Sequence, residues 1–224
     1  SMKFKETRTD KQPARDISKI LKKNKDGVVE VVPGYLNERQ DLISNSSINP
    51  AGNTIYYTVC KFINDSDIRC EIYKSDIDIN GILTNEVKLS EPINMEGYTS
   101  TQPHITVDKN SGKELLYFVS DRPGGHGELD IWYSLMDPKF GLSEPVNIKE
   151  INTPNNEITP FYNPESDFLF FSSDGRESLG GYDVYKVIKI NDAYGTVIPA
   201  GIPINSSYND IYYVEKTDGS VAYL

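Results

Sequence analysis

From Val28 onward the chain alternates short runs of Val, Ile, Tyr and Phe with clusters of Asn, Asp, Gly and Pro. Apolar runs of that length between turn-forming residues predict β-strands joined by tight connections. One stretch departs from the pattern. Over 16–25, Asp16 stands as an N-cap, Ile17, Ile20 and Leu21 share one helical face, Lys22, Lys23 and Lys25 fill the last turn, and Gly27 follows as a stop. This spacing predicts one short helix near the N-terminus.

The strand runs repeat. Residues 115–125 read LLYFVSDRPGG and residues 168–176 read FLFFSSDGR, and Tyr117, Phe170 and Tyr223 succeed one another at intervals of 53 residues. Asp130 in LDIWYS returns as Asp183 in YDVYKV, and Glu91-Pro92-Ile93-Asn94 as Glu144-Pro145-Val146-Asn147, with the same offset. A looser, earlier copy holds Ile55-Tyr56-Tyr57-Thr58 and Cys70-Glu71-Ile72-Tyr73. Each copy accommodates four strands, at about 103–107, 114–120, 129–135 and 144–148 in the second and about 159–162, 168–173, 182–189 and 196–204 in the third. A four-stranded unit of this size buries its two faces only against neighbouring units, which predicts an all-β β-propeller. The expected divisions are full blades at about 42–94, 95–148 and 149–205 and a partial fourth at 206–224. Before them, 1–41 is expected to form a basic arm with the short helix. Either a strand at 28–32 completes the last blade, or the chain is cut from a larger propeller.

The segments SDRPGGHGELDIWYS (120–134) and SSDGRESLGGYDVYKV (172–187) resemble the WD-like propeller repeat of TolB-type proteins. The nearest variety is the one that bacterial cell-envelope proteins carry beside an outer-membrane-protein-A-like peptidoglycan-binding domain. The resemblance spans about 42–224. It implies a non-enzymatic protein-interaction module, periplasmic or outer-membrane-associated, in a secretion or envelope assembly. Its partner would be an envelope protein, with peptidoglycan association through a domain outside this chain.

Charge narrows the partners further. The net charge is −10, whereas 1–30 alone carry +4, so a basic arm precedes an acidic body. Nucleic acid is an unfavourable partner for such a body, because phosphate binding needs clustered Lys and Arg. No apolar run approaches the roughly 18 residues of a membrane-spanning helix, and Ser1-Met2, which reads as a cloning remnant, leads into no signal-peptide core.

Candidate chemistry is sparse. Asp121 and Asp174 follow the second strand of their units and Asp130 and Asp183 open the third; recurrence at one place in each unit argues for turn capping rather than catalysis. The loops 121–128 and 174–181 sit on a rigid scaffold, where binding residues concentrate. Asp121, Arg122, Gly124, Gly125, His126, Asp174, Arg176, Gly180 and Gly181 are therefore the candidate partner-facing rim. His104 and His126 lack metal-ligand spacing, and neither a metal nor a cofactor is expected. A glycoside hydrolase on a propeller fold is the alternative, since such enzymes place carboxylates on inner strands. The strands 103–107 and 159–162 hold none, and only Asp210 enters the last. Cys60 and Cys70 flank a hairpin centred near Asp65 and fall opposite each other; a disulfide and two reduced thiols both remain open.

Overall fold

The computed structural model describes residues 4–5, 16–17, 19–24, 26–32, 35–38, 41–64, 67–137, 139 and 141–224. Two short strands, β1 (Phe4–Lys5) and β2 (Asp16–Ile17), pair with each other, and β3 (Leu21–Lys23) pairs with β4 (Val29–Val31). A four-residue helix, α1 (Tyr35–Glu38), follows. The first large sheet is the antiparallel meander β5 (Leu42–Ile48), β6 (Thr54–Phe62), β7 (Ile68–Ile77) and β8 (Leu83–Lys88). The second is β9 (Ser100–Val107), β10 (Glu114–Ser120) and β11 (Asp130–Asp137), edged by the short β12 (Gly141–Leu142) and β13 (Val146–Asn147). The third repeats it with β14 (Glu157–Asn163), β15 (Phe168–Ser173), β16 (Asp183–Ile190), β17 (Ala193–Tyr194) and β18 (Ile198–Pro199). A hairpin of β19 (Val214–Glu215) and β20 (Ala222–Tyr223) ends the chain.

The continuous apolar runs exist because the middle sheet is covered on both faces. Along β10, Leu115, Tyr117 and Val119 pack on Leu169, Phe171 and Tyr185 of the third sheet. The alternate residues Leu116 and Phe118 pack on Tyr56 and Ile72 of the first and on Ile93 of the connection between the two. Period-two alternation thus serves two cores at once, the packing expected of sheets stacked around an axis. The architecture is all-β and propeller-like. Tyr117 and Phe170 occupy matching registers, opposite Tyr133 and Lys186, and Asp130 and Asp183 match opposite Ser120 and Ser173.

Each passage from one sheet to the next is fastened by an asparagine. The Asn94 carboxamide accepts the Ile72 N–H and donates to the carbonyls of Ile72 and Leu89. Asn152 makes the same pair with Ile131, and Asn205 with Val184. A side chain that both donates and accepts replaces a strand where the ladder would otherwise leave buried backbone unpaired. Asn37 does this a fourth time, accepting from Ile20 N–H and donating to Ile20 and Val32 carbonyls.

Two sequence expectations are corrected here. The helix expected over 16–25 is replaced by β2 and β3, because Leu21–Lys23 finds a ladder partner in Val29–Val31 across a turn in which Gly27 takes a φ of 84°. An isolated ten-residue helix is too short to compete with that pairing and the Asn37 clip. The expected equivalence of Glu91–Asn94 and Glu144–Asn147 also fails. Asn147 lies in β13 and donates to Asp130, and Asn152 is the counterpart of Asn94. The strand expected at 28–32 forms as β4 and pairs with β3 rather than with β20 among the described residues.

Candidate functional site

The strands nearest the axis of the stack converge on one pocket of about 100 Å³. Its lining comes in four like sets: 45–47, 102–104, 159–161 and 212–214. In each set one non-glycine residue adopts the left-handed conformation, with φ of 49° at Asn45, 51° at Gln102, 54° at Thr159 and 66° at Tyr212. The ladders shift register at the first three, so these are bulges that turn a side chain out of the pleat. Left-handed backbone at a β-branched or aromatic residue costs on the order of 1–3 kcal/mol. Neighbouring strands hold it in place: Gln102 N–H donates to Thr58 Oγ1 at 3.0 Å, and Thr159 N–H donates to Gln102 Oε1 at 2.7 Å.

Apolar walls flank these polar groups. Pro103, Pro160, Phe161 and Tyr213 line the pocket, and the His104 ring meets Phe161 edge-on at 5.1 Å. Burial pushes the His104 pKa down to about 4, so the ring is neutral at pH 7. Its Nε2 lies 3.2 Å from the Tyr162 carbonyl, an acceptor, which assigns the proton to Nε2. No carboxylate lines the pocket among the described residues. Glu157 and Asp210 each stand two positions before a left-handed residue, but both are engaged. Glu157 accepts from Thr153 N–H, Thr153 Oγ1 and Ser173 Oγ, and Asp210 from Ser206 N–H and Oγ. Burial is the main cause that lifts the Glu157 carboxyl above its ordinary value.

The loop residues singled out from the sequence serve mostly the scaffold. Arg122 is buried, at 7% exposure. Its guanidinium donates to the carbonyls of Pro92 and Ile93 and to Ser100 and Ser120 Oγ, and it covers the rings of Phe118 and Trp132. It joins the first two sheets and is not partner-facing, which corrects that expectation. Arg176 is half-buried and repeats the arrangement, donating to the Ile151 carbonyl over Phe171 and Tyr185. Asp121 accepts from Thr99 N–H, Asp174 from Asn156 N–H, Asp130 from His126 and Gly127 N–H, and Asp183 from Leu179 N–H. The glycines answer to space rather than flexibility. Gly124 has a φ of 90°, a Cβ on Gly125 would strike Asp130, and one on Gly180 or Gly181 would strike Tyr208 or Asn209. The His126 side chain remains exposed.

Cys60 and Cys70 pair across the β6–β7 ladder and are joined by a disulfide. The axial residues Asn45, Gln102, Thr159 and Tyr212 were missed as a set. Their spacing of 57, 57 and 53 residues was present in the sequence, but their residue types differ, so no shared letter marked them.

No family model and no curated protein matches the chain. Among solved structures it is similar to an α-L-arabinofuranosidase from Lactobacillus brevis, with a TM-score of 0.53 and 12% identity over 88% of this chain and 70% of that one. It is also similar to an endo-arabinase from Bacteroides thetaiotaomicron, with a TM-score of 0.44 and 15% identity over 80% of this chain and 66% of that one. A third likeness is to the Dos1 propeller, with a TM-score of 0.42 and 11% identity over 91% of this chain and 55% of that one. The chain therefore spans between just over half and 70% of these proteins, and at such identity the likeness is one of fold. The first likeness corrects the expectation of a non-enzymatic interaction module: the fold is shared with an enzyme, an α-L-arabinofuranosidase.

Proposed function

We propose that this chain is a carbohydrate-active propeller with four blades around its axis, and that the axial pocket takes a sugar ring. The observation that carries this reading is the convergence of Asn45, Gln102, Thr159 and Tyr212 from four inner segments onto one opening. Amide and hydroxyl groups match the donors and acceptors of sugar hydroxyls, while Pro103, Pro160 and Phe161 offer apolar faces to ring C–H groups. The pocket's volume is well below the roughly 300 Å³ at which drug-sized sites begin, which suits one inserted ring rather than an enclosed chain. Hydrolysis needs a carboxyl acid and a second carboxylate. Glu157 and Asp210, each two positions before a pocket residue, are held by backbone and hydroxyl donors and do not line the opening, so the pocket as built supports sugar binding. The Cys60–Cys70 bond supports an oxidising compartment, in keeping with the envelope location that the TolB-type resemblance implies.

The test is calorimetric titration with arabino- and xylo-oligosaccharides, run beside release of aryl groups from aryl glycosides. Binding is expected, and Gln102→Ala should weaken it by about tenfold through loss of one buried polar partner. Absence of both binding and cleavage across a broad glycan set would overturn the reading.

A further inference from the structure

Most polar side chains of the axial pocket are already engaged by the protein. Asn45 donates to Ser44 Oγ and meets the Tyr212 hydroxyl, Thr159 Oγ1 donates to Ser172 Oγ, and the Tyr213 hydroxyl donates to Glu215. Ser47 Oγ accepts the Ile105 N–H at 3.1 Å. Two residues on β9 differ. Gln102 gives its carbonyl oxygen to the Thr159 N–H, which fixes the orientation of the amide and leaves Nε2 with no partner among the described residues. His104 gives its Nε2 proton to the Tyr162 carbonyl, which leaves Nδ1 as a bare acceptor, likewise without a partner among the described residues. Neither atom is sealed, since the fully buried unpaired side-chain atoms among the described residues are Arg176 Nε and Asp183 Oδ1. One open donor and one open acceptor thus stand two positions apart on the pocket wall.

Such a pair reads a ligand by its hydrogen-bonding pattern. The ligand must offer an acceptor to Gln102 and a donor to His104, and because a hydroxyl can be either, two hydroxyls on one ring satisfy both. Charge is selected as well. Neither a carboxylate nor a lysine or arginine lines the pocket among the described residues, and the chain carries −10, so an anionic ligand would lose water without gaining a counter-ion. The walls of Pro103, Pro160 and Phe161 favour an uncharged ring with C–H faces.

We propose that Gln102 and His104 are the specificity-determining pair of this pocket, donor and acceptor to two hydroxyls of one uncharged sugar ring. The assignment rests on the sugar reading above and adds to it which sugars enter and which residues choose them. A site built to bond a hydroxyl rejects the analogue that lacks it, because its own polar group is then left unpaired.

The test uses methyl pyranosides in two series, arabinose with galactose and galacturonate, and xylose with glucose and glucuronate, whose members differ only in the substituent on C5. At pH 7 the neutral members are expected to bind in calorimetric titration, and each uronate about tenfold more weakly or not at all. Deoxygenation then locates the pair. In the unmodified chain, removing one ring hydroxyl at a time should weaken binding about tenfold at two positions. In His104→Phe, which keeps an aromatic ring against Phe161, one of those penalties should vanish and the other persist, and Gln102→Leu should give the reverse. A purely structural role would weaken every sugar alike and leave both penalties in place. Nitrogen NMR of the unmodified chain does not depend on how the variants fold. The chain has two histidines, so His104 Nδ1 can be followed beside that of exposed His126, and only the former should shift on saturation with the neutral pyranosides. Uronates bound as tightly as their neutral counterparts, deoxy penalties untouched by the variants, a His104 Nδ1 that ignores the sugar, or oligosaccharide binding without pyranoside binding would each overturn the assignment while the sugar reading stands. No binding of any pyranoside or oligosaccharide would overturn both.

Discussion

Arg122 shows how a residue type can mislead. An arginine among glycines in a loop has the composition of an interface anchor, but four of its five donors go to two carbonyls and two hydroxyls, with aromatic rings on its faces. No carboxylate is among these partners, so its charge is stabilised by dipoles and π faces, and burial lowers its pKa to about 10. Arg122→Ala should cost about 2–4 kcal/mol in urea unfolding, because it strands the Pro92 and Ile93 carbonyls and leaves a cavity between two sheets. Arg122→Lys should recover only a minority of that loss, since an ammonium cannot reproduce the planar fork. A loss below about 0.5 kcal/mol for the alanine variant would return this side chain to the surface. This much was hidden from the sequence, because the carbonyls lie 29 and 30 positions away.

Among elements, the asparagine clip is what fastens one sheet to the next. Asn152 bonds both backbone groups of Ile131 beside a strand whose outer edge holds only the short β12 and β13. Asn152→Ala is expected to destabilise the chain by about 1–3 kcal/mol, because the Ile131 N–H is left unpaired while its carbonyl keeps the Ile148 N–H, and Asn152→Asp also destabilises it, because a carboxylate cannot donate to the Ile131 carbonyl. Chemical denaturation of both variants checks this, and a stable aspartate form would show that donation is dispensable. The 53-residue spacing made β10, β11, β15 and β16 legible, since apolar runs covered on two faces need no partner to be recognised. The N-terminal strands were misread because Ile17, Ile20 and Leu21 fit helical spacing. Their strand identity depends on Asn37, 17 residues beyond Ile20.

For the molecule as a whole, acid is the informative perturbation. His104 sits where the second and third sheets meet, against Tyr117 and Phe161, and its folded pKa of about 4 lies below its ordinary 6.5. The unfolded chain therefore binds the proton first as pH falls, so this contribution to stability is complete above about 6.5 and is lost progressively toward about 4. Unfolding free energy measured across that window should decline with acid, and His104→Gln should flatten the decline. An unchanged slope in the variant would assign the acid sensitivity to other groups.

The sequence by itself determined the long strands from β6 onward, their repetition from sheet to sheet, the opposition of Cys60 and Cys70, and the stacking of sheets. All of these follow from alternation and spacing that neighbouring residues impose on one another. Only the tertiary structure decided which residues meet at one pocket, that Arg122 and Arg176 face inward, and that Leu21–Lys23 pairs with Val29–Val31 as strands. Those outcomes depend on backbone groups far apart in the chain. Asn45, Gln102, Thr159 and Tyr212 share a place and a left-handed backbone without sharing a side chain, because the conformation is selected by the packing of neighbouring sheets and not by the identity of the residue that adopts it.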